Sequence, residues 1–178
     1  MAKMILTAAQ LKKIIRDVPD FPKPGIVFKD ISTILKDPLA LRSVIDILAA
    51  KFKNKKITKV VAVESRGFIL GSVLAYKLGA GFILVRKKGK LPYKTRSVSY
   101  DLEYGSDTLE IHDDAVNQQD RVLIVDDLLA TGGTVGAVVK LIKGFNAKIV
   151  GSAFLIELSF LQGRDRLNGL PISSIIKF

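Results

Sequence analysis

Apolar residues in this chain fall into short unbroken runs separated by stretches with helical spacing. Val60-Val61-Ala62-Val63, Phe82-Ile83-Leu84-Val85 and Val122-Leu123-Ile124-Val125 are each bounded by charged residues or glycine. Such runs predict strands buried on both faces. Between the runs the period changes. Leu41, Val44, Ile45, Leu48 and Phe52 repeat at helical spacing behind Asp37-Pro38, an N-cap followed by a first-turn proline. A helix after the first run reaches about Leu78, with Gly79 or Gly81 to close it. Val135, Val138, Val139 and Ile142 mark another helix. Strands alternating with helices predict an α/β fold with a mostly parallel central sheet and helices on both faces.

The flanking segments are less regular. Thr7-Ala8-Ala9-Gln10 has the spacing of a capping box, and Leu11, Ile14 and Ile15 mark the helix it opens. Pro19 and Phe21-Pro22-Lys23-Pro24-Gly25 predict an irregular loop. Residues 86–99 read as a long mobile loop. Val98–Leu102 and Thr108–Ile111 flank residues 103–107 as a hairpin. Ile149–Leu158 predicts a strand, and Ile172–Ile176 a last edge strand. With no repeat or linker, residues 1–178 are expected to form a single domain. Residues 1–35 would form a small hood, and residues 86–107 a mobile lid and hairpin.

Composition narrows the functional classes. The 178 residues are 48% apolar, enough for one core. No apolar run approaches the ~20 residues needed to span a bilayer, and Met1 to Leu6 is too short for a signal-peptide core. There is no cysteine, which removes disulfides, thiolate metal sites and a Cys nucleophile. The cytoplasm is the expected compartment. His112, the only histidine, has no partner at metal-ligand spacing and is expected at a surface or strand edge. Motifs for ATPases, dinucleotide binding and serine hydrolases are missing. The net charge is +11, from 28 Lys and Arg against 17 Asp and Glu. Lys51 to Lys59 reads as a solvated linker. No nucleic-acid-reading motif accompanies the charge, so an anionic small substrate is the expected partner.

Candidate chemistry concentrates in Arg121 to Thr134. A buried strand runs into Asp126-Asp127, and Ala130-Thr131-Gly132-Gly133-Thr134 leads into a helix. Ligands of open α/β sheets bind beyond the carboxyl ends of the strands. Gly132 and Gly133 allow close backbone approach to an anion, Thr131 and Thr134 add hydroxyl donors, and a helix N-terminus favours negative charge. The two acids would repel a phosphate, so sugar hydroxyls are their natural partners. A phosphorylated sugar fits both halves. Glu64-Ser65-Arg66-Gly67 forms a second strand-to-helix junction, where Arg66 can clamp phosphate. Arg86 to Arg96 carries six cations, a candidate lid over pyrophosphate, with Arg86, Lys87 and Lys90 as contacts.

The loop from Asp126 to Thr134 resembles the phosphoribosyl pyrophosphate motif of the type I phosphoribosyltransferases. Further segments resemble the adenine phosphoribosyltransferase family within that group: Asp20 to Ser32, Glu64 to Phe68, Arg86 to Pro92, Leu102 to Gly105, and Glu157 to Arg164. The resemblance covers essentially the whole chain. It implies the type I phosphoribosyltransferase fold and transfer of a phosphoribosyl group from phosphoribosyl pyrophosphate to adenine, giving AMP and pyrophosphate in purine salvage. Asp126 and Asp127 would hold the ribose hydroxyls, and Ala130, Thr131, Gly132, Gly133 and Thr134 the 5′-phosphate. Val27, Phe28 and Lys29 would meet adenine, Val27 and Lys29 through backbone groups and Phe28 as a stacking ring. The family often has Arg where Lys29 stands, a harmless change for a main-chain contact. Glu103 would hold or relay the proton that adenine loses, and Tyr104 would lie near the reacting centre. Magnesium would enter through substrate oxygens and water, with no dedicated cage of protein side chains. The resemblance also implies a homodimer. Another purine base, or a sensor that binds the pyrophosphate ester without turnover, stays open as an alternative.

Overall fold

The computed structural model describes residues 4–101 and 106–178. Its backbone contacts divide the chain into two compact units, Met1–Ile47 and Leu48–Phe178.

The first unit opens with helix α1 (Ala8–Ile14). Its capping box is present: Gln10 N donates to Thr7 Oγ1 at 3.3 Å, and Thr7 N donates to Gln10 Oε1 at 2.9 Å. The irregular loop expected around Phe21–Gly25 is present, between two short strands that were not expected. Strands β1 (Arg16–Pro19) and β2 (Val27–Asp30) pair antiparallel on either side of it, in register from Arg16 opposite Asp30 to Pro19 opposite Val27. The turn between them is held by Gly25 N donating to Asp20 at 2.7 Å and Phe21 N donating to Ile26 O at 3.2 Å. Both strands are four residues long and mostly exposed or half-buried, so the alternation that reveals a longer strand was missing. A single turn, α2 (Ser32–Leu35), precedes α3 (Pro38–Phe52). Asp37 caps α3 as expected, accepting from Leu39 N at 2.9 Å and Ala40 N at 2.8 Å.

The second unit is built on a seven-stranded sheet. Its strands are β3 (Lys59–Val63), β4 (Gly81–Lys87), β5 (Thr95–Asp101), β6 (Ser106–His112), β7 (Arg121–Leu129), β8 (Lys148–Glu157) and β9 (Ile172–Lys177). The spatial order is β5-β6-β4-β3-β7-β8-β9. From β4 to β9 neighbouring strands are parallel, while β6 runs antiparallel to both β4 and β5. Helix α4 (Arg66–Leu78) follows β3, and α5 (Gly133–Lys143) follows β7. Gly79 closes α4 in the left-handed conformation at φ 67°.

Helices cover both faces, for a reason visible in the parity of the strands. Val61, Val63, Val122 and Ile124 share a buried cluster with Val135, Val138 and Ile142 of α5. The intervening residues face the other way, where Gly71 of α4 lies over Ala62. A Cβ at Gly71 would come 2.7 Å from that of Ala62.

Two further expectations change. Only residues 88–94 separate β4 from β5, where residues 86–99 read as a loop. Val98 and Tyr100 pack half-buried against the cluster while Ser97 and Ser99 are exposed. The dense charge before them masked this alternation. The hairpin is present with longer arms than expected, since β5 pairs with β6 from Thr95–His112 to Asp101–Ser106. Strand β7 also runs through the acid pair. Leu128 pairs with Ile156 and Leu129 with Glu157, because β8 extends far enough to offer partners. The strand stops short of the expected phosphate segment 130–134, of which 130–132 form a loop and Gly133 and Thr134 open α5.

Candidate active site

A cavity of about 650 Å³ opens where β3 and β7 end. The acid pair, the segment 130–134, Arg66 and Lys87 all line it, so residues far apart in sequence meet there. The two parallel strands deliver this. Val60 pairs with Leu123 and Ala62 with Val125, which puts Glu64–Arg66 beside Asp126–Asp127.

The acid pair is only partly solvated. Asp127 is buried, and its Oδ2 accepts from Arg66 Nε at 2.9 Å. Asp126 Oδ1 accepts from the Asp127 amide at 2.9 Å. Gly67 makes room for this carboxylate, because a Cβ there would come 2.8 Å from Asp126 Oδ1. Burial drives both carboxyls upward, and repulsion from Asp127 adds to the rise at Asp126, which stands well above the ordinary range. At Asp127 the Arg66 guanidinium opposes the rise. Partners that donate hydrogen bonds to the ionised form would relieve the repulsion, and vicinal hydroxyls are such partners.

The expected phosphate side is a helix start with no side-chain cap. Gly132 occupies the N-cap of α5 at φ 81°, with no side-chain cap hydrogen bond among the described residues. Those amides and the dipole end they carry suit an anion. Thr134 Oγ1 lies 3.5 Å from the Tyr100 hydroxyl, and Tyr100 joins the lining.

Each predicted pyrophosphate contact is already engaged by a carboxylate. Arg86 Nε donates to Glu64 Oε2 at 3.1 Å, and Lys90 Nζ lies 2.5 Å from Glu64 Oε1. Lys87 Nζ lies 3.0 Å from Asp107 Oδ2. Burial pulls Glu64 upward, but hydrogen bonds from Lys90, the Lys87 amide and Arg86 outweigh it and hold the carboxyl below its usual range. At Asp107 burial likewise acts upward, and Lys87 and the Thr108 amide together outweigh it. Glu64 and Asp107 are site residues that the sequence reading did not select. Their signal was present, since an acid beside a cationic cluster is its natural counter-ion. Tyr100 carried no such signal.

The adenine candidates lie on β2 in the first unit. Phe28 meets Phe21 edge to face at 5.2 Å between ring centres, and Lys29 Nζ lies 2.7 Å from Asp17. Val27 is exposed. Glu103 and Tyr104 lie outside the described residues. His112, at the end of β6, is half-buried and bonds the Pro92 carbonyl oxygen at 2.6 Å, away from the lining.

Known proteins share both sequence and fold with this chain. The phosphoribosyl transferase domain family matches residues 30–169. An adenine phosphoribosyltransferase of Citrifermentans bemidjiense is 58% identical over 168 residues, covering 94% of this chain and 98% of that protein. This chain belongs to the adenine phosphoribosyltransferase family. The crystal structure of a Thermoanaerobacter pseudethanolicus adenine phosphoribosyltransferase superposes with a TM-score of 0.94 at 52% identity, over 97% of this chain and 100% of that one. The Giardia lamblia enzyme complexed with 9-deazaadenine gives 0.92 at 39% identity, over 97% and 98%. The solved relatives share the type I phosphoribosyltransferase fold of this sheet.

Among the described residues no group of three or more His, Cys, Asp or Glu is placed to hold a metal, and no helix is long and apolar enough to cross a membrane.

Proposed function

We propose that the protein transfers the 5-phosphoribosyl group from phosphoribosyl pyrophosphate to adenine, releasing pyrophosphate and forming AMP in purine salvage. The observation that carries this reading is the single cavity that joins an acid pair, an uncapped helix start and a set of cations, in a member of this family. Those three features match ribose hydroxyls, a 5′-phosphate and a pyrophosphate respectively.

Adenine N9 forms a bond to the anomeric carbon as the bond from that carbon to the pyrophosphate oxygen breaks. Positive charge grows on the sugar, and negative charge on the leaving group. The protein's part is positioning and charge stabilisation. Asp126 and Asp127 hold the ribose hydroxyls, the amides and hydroxyls of residues 130–134 hold the 5′-phosphate, and Arg66, Arg86, Lys87 and Lys90 take pyrophosphate. Glu103 accepts or relays the proton that N9 loses, with Tyr104 near the reacting centre. Val27, Phe28 and Lys29 receive the base.

Magnesium fits this donor set as an ion carried by substrate. Its ligands are hard oxygens, and it commonly uses one or two carboxylates with phosphates and water. Asp126 is the lining acid available to it, since Asp127, Glu64 and Asp107 are each paired with arginine or lysine. When bound it neutralises charge on the leaving pyrophosphate.

The proposal includes a homodimer in the cytoplasm. Support for the dimer comes from α4, where Ile69, Val73 and Tyr76 are 42%, 40% and 89% exposed along one helix face. The enzyme reading is tested by AMP formation from adenine, phosphoribosyl pyrophosphate and magnesium. Hypoxanthine, guanine and xanthine serve as competing bases.

A further inference from the structure

Behind the phosphate loop, two glycines meet backbone to backbone. A Cβ on Gly132 would overlap the carbonyl oxygen of Gly163. A Cβ on Gly163 would overlap the carbonyl oxygen of Ala130 and lie 3.0 Å from Gly132 N. With no room for a side chain on either face, the position of Gly163 decides where Ala130–Gly132 rests.

Gly163 is itself held by its neighbour. Arg164 spans the carboxylate of Glu157 with both arms of its fork, Nε to Oε1 at 2.5 Å and Nη2 to Oε2 at 2.6 Å. Glu157 ends β8 and is only 4% exposed. The Ser174 hydroxyl on β9 donates to the same carboxylate, and Arg164 Nη1 reaches the Ile172 carbonyl oxygen at 3.4 Å. The segment is also tied where it leaves the sheet, by Leu158 N donating to Leu129 O at 2.9 Å. A two-armed guanidinium–carboxylate contact fixes direction as well as distance. A buried carboxylate has a strong preference for keeping its partner. Neither Glu157 nor Arg164 lines the cavity.

We infer that Glu157 and Arg164 form a positioning pair for the 5′-phosphate loop, acting through the Gly163 backbone on Ala130–Gly132. The inference rests on the phosphoribosyl reading of the cavity. The pair sets the seat of the phosphorylated sugar and leaves the pyrophosphate and adenine contacts alone, because it meets the cavity wall behind that loop, through Gly163 and through Leu129, which pairs with Glu157.

Arg164→Lys tests this, since it keeps the charge and loses the fork. Ribose 5-phosphate and inorganic pyrophosphate are the probes, titrated separately by calorimetry. Ribose 5-phosphate affinity should fall about tenfold, the scale of a sub-ångström misplacement, with pyrophosphate affinity and the KM for adenine held within about twofold. The KM for phosphoribosyl pyrophosphate should rise in step while kcat changes less. Unchanged ribose 5-phosphate affinity, or an equal loss for both probes, overturns the inference. Should Arg164→Lys not fold, Ser174→Ala decides by the same two titrations. It removes one hydrogen bond from Glu157 and should weaken ribose 5-phosphate alone, by about threefold; no change, or an equal loss, overturns the inference. Absence of AMP formation by the wild type would defeat the enzyme reading separately, and the two binding titrations would still report on the loop.

Discussion

Arg66 Nε lies 2.9 Å from Asp127 Oδ2, so an expected pyrophosphate clamp and an expected ribose ligand satisfy each other. Binding has to exchange this contact for two others. The exchange keeps a buried acid and a cation from standing unpaired before substrate arrives. The same arrangement recurs at Glu64 with Arg86 and Lys90, and at Asp107 with Lys87. In each case a carboxylate holds a cation that is proposed to bind pyrophosphate.

Asp127→Asn should therefore have opposite effects on two ligands. Loss of a charged hydrogen bond to ribose costs about 1.5–3 kcal/mol, or roughly 10- to 150-fold in the KM for phosphoribosyl pyrophosphate. Inorganic pyrophosphate should bind more tightly, because Arg66 no longer has a carboxylate to leave. Steady-state kinetics with pyrophosphate as inhibitor measures both. Near-normal kinetics in the Asp126→Asn and Asp127→Asn single variants would remove the acids from ribose binding.

Asp126 predicts a conflict between stability and function. Its folded-state carboxyl is raised by burial and by Asp127, so the folded protein holds that proton more tightly than the unfolded chain. The resulting stability is full below about pH 4, the unfolded value, and is lost as pH rises through the raised folded value. Asp126→Asn should then melt higher than wild type at pH 7, by about 2–4 °C per kcal/mol recovered. The gap should close as pH falls toward about 4. Thermal melts across that range check the sign, and a variant less stable than wild type at pH 7 contradicts it.

The acid-and-glycine half of this site was legible because it is contiguous. Strand, acids and phosphate loop follow one another within Arg121 to Thr134. Gly163 and Tyr100 were not legible, since each reaches the loop only through sheet order and strand length. Gly163 stands 31 positions after Gly132, and nothing local marks it as touching that residue. Strands β1 and β2 escaped for a different reason: four-residue strands with little burial have no two-residue period to read. The extent of β7 through Leu129 was hidden too, because an acid pair reads as the end of a buried strand when its pairing partner on β8 is unknown.

The loop between β4 and β5 gives a third prediction. Residues 88–94 are tethered by Lys90 on Glu64 and by Gly89 N donating to Glu110 at 2.9 Å. Such half-exposed ties contribute up to about 1 kcal/mol each, so they should open readily. Hydrogen exchange in 88–94 should slow when phosphoribosyl pyrophosphate or an analogue binds with magnesium. It should quicken in Glu64→Gln without ligand. Equal, strong protection in the empty and liganded wild type would refute a mobile lid.

The apolar stripe on α4 bears on assembly. Ile69, Val73 and Tyr76 are spaced to share one helix face, and all three are exposed. Val73→Asp would place a charge in the middle of that face. If two copies meet there, sedimentation should show a dimer for wild type and a shift toward monomer for Val73→Asp, with an unchanged far-ultraviolet spectrum. A monomeric wild type, or a variant dimer of undiminished strength, would remove this face from the interface.

Glu103 separates an enzyme from a sensor. It lies in sequence between β5 and β6, outside the described residues, so its assignment stands on the family resemblance. If it takes the proton from the base, its benefit falls mainly in the transition state. Glu103→Gln keeps the size of the side chain and removes the charge. It should lower kcat by about 10²-fold or more while adenine binding changes less. A sensor would have no use for that charge and would form no AMP. The measurement is AMP formation by wild type and Glu103→Gln at saturating adenine and phosphoribosyl pyrophosphate. Equal kcat in the two proteins would take Glu103 out of the mechanism, and no product from either would leave the cavity a binding site only.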